Sequence, residues 1–103
     1  MIGIDITKIS RFERMENFDR FLTRFAVDGN TAVAAAKTWA CIEALIKARG
    51  ESFKFSQIRI MFPYNSAPQI IDHNNVLGGK YHLTLSHEDD LVVAVAIRTE
   101  IFK

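Results

Sequence analysis

Five side chains in this sequence have the types and spacing to do chemistry: Asp5, Glu43, Lys47, Ser86 and His87. Asp5 interrupts a strand-like run flanked by Ile2, Ile4, Ile6 and Ile9. A carboxylate beside such an apolar strand loses hydration and needs a partner or a metal ion. A strand-end or helix-capping aspartate is the plainer alternative. Glu43 and Lys47 sit four residues apart in TWACIEALIKARG (38–50), so they share a helix face, with the acid on the favourable N-terminal side. As an ordinary helix pair they would contribute about 0.3–0.5 kcal/mol. However, Ala40, Cys41, Ile42, Ala44, Leu45, Ile46 and Ala48 leave little solvent-facing surface around them. Desolvating a carboxylate and an ammonium costs several kcal/mol each. That cost points to a pocket edge, where a cation or an anionic ligand completes the balance. Ser86 and His87 end a strand in LTLSHEDD (83–90). Adjacent strand residues point to opposite faces, so they form no hydrolase dyad. Both can donate hydrogen bonds to an anion at a strand end, and a polar hairpin turn explains them equally well.

Other chemistries find less support. The acids after His87 lack the EF-hand spacing. No glycine-rich phosphate loop of either common type occurs, so bound phosphates would need a metal and basic side chains. The single cysteine, Cys41, excludes an internal disulfide and a cysteine-rich zinc site, and reads as a small buried thiol. His73 and His82 have no ligand spacing and read as loop and strand surface residues.

The elements that must position these groups follow from periodicity. MIGIDIT alternates, with Ile2, Ile4 and Ile6 on one face and Gly3, Asp5 and Thr7 on the other, as a half-buried strand requires. From Ser10, a plausible cap, Ile9, Phe12, Phe18, Phe21, Leu22 and Phe25 recur at three- and four-residue spacings, which suits one or two short helices. VDGN (27–30) is a turn, Asn30 or Thr31 can cap the next element, and residues 32–49 read as one central buried helix closed by Gly50. FSQIRIMF (55–62) reads as a strand, and QIIDHNNVLGGK (69–80) as a short strand followed by an irregular piece. YHLTLS, a turn at HEDD, and LVVAVAI then form a hairpin whose second strand is buried on both faces or central. The layout is α+β: a small antiparallel sheet packed against a long central helix.

At 103 residues the chain is expected to form one domain over 1–103. Its hydrophobic content of 49% with 24% charge argues against disorder. A net charge of +1 gives no bulk field for nucleic acid. Locally, Lys8, Arg11, Arg14, Arg20 and Arg24 outweigh Glu13, Glu16 and Asp19. No membrane span or signal peptide is expected, so the default location is the cytoplasm.

Three separated pieces, GIDITKISRF (3–12), WACIEALIKARG (39–50) and LSHEDDLVVAVAI (85–97), resemble in order the signature regions of 4′-phosphopantetheinyl transferases of the holo-acyl-carrier-protein synthase type. These are G-I-D-I-x-x-I-x-R-F, W/F-A-x-K-E-A-x-x-K-A-x-G and S-H-x-x-x-x-A-x-A. The resemblance implies a 4′-phosphopantetheinyl transferase-like fold and a Mg²⁺-dependent transfer. The phosphopantetheine arm of coenzyme A would move to a serine of an acyl or peptidyl carrier protein, as in fatty acid biosynthesis, with release of 3′,5′-adenosine bisphosphate. By position, Asp5 and Glu43 would be metal ligands and Lys47 would contact the pyrophosphate or assist proton transfer. Ser86 and His87 would lie near the nucleotide phosphates. Arg11, Arg14, Arg20 and Arg24 would steer an acidic carrier protein, although a solvated helix face is the simpler account of them. A homotrimer with shared sites is implied by analogy. The chain departs from the pattern at Ile42, where the family has a lysine, at GES (50–52), where it has GTG, and in a shortened AVDGNT (26–31). Those departures favour a second reading, a catalytically impaired relative acting as a carrier-protein or subunit interaction module. A third is an unrelated α+β structural domain whose charges all form surface pairs.

Overall fold

Residues 2–99 are described by a computed structural model. The first strand, β1 (Ile2–Lys8), leads through α1 (Ser10–Glu13) and α2 (Phe18–Arg24) into the long α3 (Ala32–Arg49). A 3₁₀ turn at Phe55–Gln57 precedes the short strands β2 (Arg59–Met61) and β3 (Gln69–Ile71), and the chain closes with β4 (Tyr81–Glu88) and β5 (Leu91–Arg98). β1, β5 and β4 form, in that order, an antiparallel sheet, while β2 and β3 form a separate antiparallel ribbon. The fold is the expected α+β arrangement of antiparallel strands against one long helix.

α3 forms over the expected residues because its end signals are local. The Thr31 hydroxyl accepts the Ala34 amide at 3.1 Å. Gly50 takes a φ of 88°, a left-handed conformation that a side chain would strain, and its amide donates to the Ile46 carbonyl at 2.9 Å. Between these ends, Ala35, Ala36, Ala40, Ala44 and Ala48 are buried, and their small side chains let the helix lie close over β1 and β5. The closest approach is at Gly3. A Cβ there would stand 2.6 Å from the Ala48 amide nitrogen and 2.9 Å from Lys47 Cβ, and closer still to the Ala44 carbonyl oxygen.

That approach settles which face of β1 is covered. The side turned toward the helix is the one carrying Gly3, Asp5 and Thr7, whereas Ile2, Ile4 and Ile6 are 63%, 53% and 63% exposed. Strict alternation defines two faces without saying which one is covered. β5 is central, as expected, but covered on one face: Val92, Ala94 and Ala96 are buried, while Leu91 and Ile97 are exposed. The aliphatic residues of β1 and β5 thus form an apolar outer face on the sheet.

Three local expectations also change. Ser10 is the first residue of α1 rather than its cap. Its amide and hydroxyl donate to Asp90 at 2.8 and 2.7 Å, so the helix start is capped by a carboxylate from the β4–β5 turn. That carboxyl is held below the usual aspartate range, chiefly by the Ser10 hydroxyl and then by the Ser10 amide. The hairpin turn is only Asp89–Asp90, since β4 stays paired through Glu88. The predicted strand at 55–62 shrinks to three residues, because Phe55 leaves the strand path to stack on Phe25 with ring centroids 5.0 Å apart. Phe12, Phe21, Phe25 and Trp39 continue this aromatic layer and fix α1 and α2 against α3. No helix among the described residues is long and apolar enough to cross a membrane.

Candidate active site

Trp39, Glu43 and Lys47 recur every four residues and form a partly open stripe on a largely buried helix. β1 and α3 run in opposite directions: Gly3 lies against Ala44, Lys47 and Ala48, whereas Arg11, just beyond β1, lies over Trp39 at 5.3 Å. A strand rises about 3.3 Å per residue and a helix about 1.5 Å. The two-residue step from Gly3 to Asp5 therefore brings Asp5 level with the turn carrying Glu43.

Lys47 does not pair with Glu43. Its ammonium donates to the Ile4 carbonyl at 2.9 Å and to Asp5 Oδ1 at 3.4 Å. Asp5 Oδ2 accepts the Thr7 hydroxyl at 2.6 Å. The Asp5 side chain is 14% exposed and that of Lys47 55%, so a half-buried acid is met by a cation reaching in from solvent. Glu43 makes no hydrogen bond or ion pair with any described residue. Ile42 points away from this edge into the core, 2% exposed, and its position is filled by packing. The Cys41 thiol, also buried, is pushed up to about 12 by desolvation and is no nucleophile. The GES segment is held by Arg49, whose Nη1 donates to the Ser52 carbonyl at 2.5 Å and whose Nε donates to the Leu77 carbonyl at 3.1 Å.

Ser86 and His87 stand elsewhere. Across the ladders, His87 is level with Val92 and Thr7, on the helix side of the sheet, while Ser86 is level with Val93 and Ile6, on the outer face. His87 lines a groove of about 580 Å³ with Lys37, Phe62, Asn65, Ser66 and Thr84. The Lys37 ammonium lies 5.8 Å from the Phe62 ring centroid. This lysine was not singled out from the sequence, though it is the one cation in AVAAAKTWA (32–40). The Asp5–Lys47 pair is at the β1 edge and the groove at the β4 edge, with α3 packed over β1 and β5 between them. The two clusters thus lie at opposite edges of the three-stranded sheet.

The four arginines are all exposed on α1, α2 and their connection. Arg11 lies over Phe12 and Trp39, and Arg24 over Phe25 and Phe55, at 5.3–5.9 Å. Arg14 and Arg20 have no such contact. The basic segment thus adjoins the Trp39 end of the same stripe that carries Glu43 and Lys47.

Residues 1–96, which hold all of these groups, match the model of the 4′-phosphopantetheinyl transferase superfamily. The chain belongs to that superfamily. It is similar to the holo-[acyl-carrier-protein] synthase of Mycoplasma mobile, 32% identical over 97% of this chain and 90% of that protein. It is also similar to the crystal structure of the Helicobacter pylori holo-[acyl-carrier-protein] synthase in complex with coenzyme A. That match has a TM-score of 0.80 and 25% identity over 96% of this chain and 100% of the other. A Bacillus anthracis holo-(acyl-carrier-protein) synthase in complex with CoA (3′,5′-ADP) matches with a TM-score of 0.73 and 26% identity, over 94% of this chain and 93% of that one. The chain is accordingly a transferase of the holo-acyl-carrier-protein synthase type, and the fold expected from the three sequence pieces is the one it has.

Proposed function

We propose that this transferase moves the 4′-phosphopantetheine arm of coenzyme A to a serine of an acidic acyl or peptidyl carrier protein in the cytoplasm, acting as a single domain. The observation that carries the proposal is the β1–α3 edge, where Lys47 meets Asp5 and Glu43 stands one turn away on the same helix stripe, beside the basic α1–α2 segment. The donor set fits Mg²⁺: two carboxylates, Asp5 and Glu43, the second without a hydrogen-bond or ion-pair partner among the described residues. Mg²⁺ favours one or two carboxylates completed by water and phosphate oxygens. Bound there, it would offset the negative charge of the coenzyme A diphosphate.

The chain's own residues do the rest. Asp5 and Glu43 would hold the ion, and Thr7 fixes the orientation of Asp5 through its 2.6 Å bond. Lys47 reaches the diphosphate from the same helix stripe. Arg14 and Arg20, with Arg11 and Arg24 behind them, draw in the carrier and set its serine toward Glu43. The serine oxygen attacks the phosphorus of the pantetheine-side phosphate as its hydroxyl proton passes to water, and 3′,5′-adenosine bisphosphate leaves as the P–O–P bond breaks. Lys47, touching the diphosphate, offsets charge on the departing phosphate.

His87 and Lys37 supply cationic or donor groups for nucleotide phosphates at the β4 edge, across the sheet from the same copy's Asp5. The outer face of Ile2, Ile4, Ile6, Leu91 and Ile97 offers an apolar surface for a second copy. Together they support a homo-oligomer, a trimer by analogy, whose sites combine the β1 edge of one copy with the β4 groove of another. Ser86 lies on that outer face, so its part is at the subunit boundary rather than beside Asp5. The test is transfer to apo carrier proteins with coenzyme A and Mg²⁺. Wild type is expected to modify a carrier, Asp5→Ala and His87→Ala to fail singly, and co-refolded mixtures of the two to regain part of the activity. No transfer by folded wild type to any carrier overturns the function. Transfer by wild type without complementation overturns the shared site alone.

A further inference from the structure

The ammonium of Lys47 sits against an Asp5 oxygen that is open to a metal ion. Thr7 takes up one lone pair of Oδ2, so Oδ1 is the less engaged oxygen, and Lys47 Nζ is 3.4 Å from it while also bonded to the Ile4 carbonyl. A carboxylate as enclosed as Asp5 needs a compensating charge. Lys47 provides one from a long, largely solvent-exposed arm that can leave without disturbing the core. Glu43, one turn back on the same helix stripe, has no hydrogen-bond or ion-pair partner among the described residues and is a second carboxylate that a divalent cation could use.

We propose that Lys47 is a tethered counter-ion for Asp5: it occupies the carboxylate before the metal arrives, is displaced by it, and is thereby released to the coenzyme A diphosphate. This rests on the reading of Asp5 and Glu43 as metal ligands and adds to it a competition within the chain. Displacement couples the two ligands. A metal ion frees the ammonium that the phosphate needs, and phosphate capture removes the ammonium that opposes the metal, so each favours the other. The resting place of Lys47 is thus part of its role.

The test measures binding rather than turnover. Mn²⁺ affinity is read by electron paramagnetic resonance for wild type, Lys47→Met, Lys8→Met and Asp5→Asn, first without and then with 3′,5′-adenosine bisphosphate. Methionine keeps the stem and removes the charge, and circular dichroism checks folding. The bond is solvent-exposed, so Lys47→Met is expected to bind Mn²⁺ about two- to fivefold more tightly than wild type without nucleotide. Its further gain on adding nucleotide should be smaller than that of wild type. Lys8→Met, which removes a lysine charge from the same strand without touching Asp5, should leave the affinity unchanged. Equal or weaker binding by Lys47→Met overturns the proposal, as does an equal gain from Lys8→Met. If wild type binds Mn²⁺ and Asp5→Asn does not, that failure leaves the metal site standing. If neither wild type nor Lys47→Met binds Mn²⁺, or Asp5→Asn binds as wild type does, the metal reading and the proposal fall together.

Discussion

Replacing Gly3 by alanine would add one methyl group at the point where β1 meets α3. The new Cβ would stand 2.6 Å from the Ala48 nitrogen, when real Cβ atoms essentially never come within 3.0 Å, and it would press harder still on the Ala44 carbonyl. Two of the three obstructing atoms are helix backbone, which cannot rotate aside, so the strand must retreat by several tenths of an ångström or more. Overpacking of this kind costs about 1–3 kcal/mol, and a backbone obstruction belongs at the upper end. The loss of glycine's freedom in the unfolded chain works the other way by up to about 1 kcal/mol, which leaves a net cost of roughly 2 kcal/mol. For a domain of this size that lowers the melting temperature by about 8–16 °C. The same retreat moves Asp5 relative to Glu43 and Lys47, so transfer should fall tenfold or more even well below the melting point. Calorimetry and a carrier-modification assay on one sample separate the two effects. Gly50→Ala is the control: nothing lies within 4 Å of its Cβ, so only the left-handed φ of 88° is penalised, by about 1 kcal/mol, and the site should be spared. A Gly3→Ala protein that melts with wild type and transfers at the wild-type rate would refute the account of this contact.

Asp90 should give a pH-dependent contribution. Its folded-state pKa lies below the ordinary value of 3.8, so its stabilisation is fully present above that value and is lost as pH falls through the folded pKa. The stability gap between wild type and Asp90→Ala in urea titrations should be constant from about pH 5 upward and should close in acid; a gap that widens in acid would contradict the capping role. The arginines should divide by environment. Arg14→Glu and Arg20→Glu should raise the carrier KM severalfold, less so at high salt, with kcat little changed. Arg11→Ala and Arg24→Ala should in addition lower stability by about 0.5–1 kcal/mol each through their lost aromatic contacts. Uniform kinetic effects without any stability loss would count against that division.

What was legible in the sequence was what is encoded locally. The span of α3 followed from Thr31 and Gly50, and the β4–β5 hairpin from its alternation, because a few adjacent residues determine each. The orientation of β1 was not legible, since only contact with Ala44 and Ala48 reveals that the glycine side, not the isoleucine side, faces the helix. The partner of Lys47 was equally hidden. Spacing offered Glu43 on the same helix, and the fold supplied Asp5, 42 residues away. Ser10 looked like a cap, but the capping group comes from Asp90, 80 residues later. Ser86 and His87 are neighbours in sequence whose opposite facing was foreseeable from strand geometry. The groove that joins His87 to Lys37 depends on a loop path that composition does not specify.

The most direct test of the central claim is intact-mass spectrometry of an apo carrier protein incubated with coenzyme A, Mg²⁺ and either wild type or Glu43→Gln. The account predicts a phosphopantetheine mass gain with wild type and none with the variant, whose circular dichroism spectrum should be unchanged. An equal gain with Glu43→Gln, or no gain with folded wild type, would contradict it.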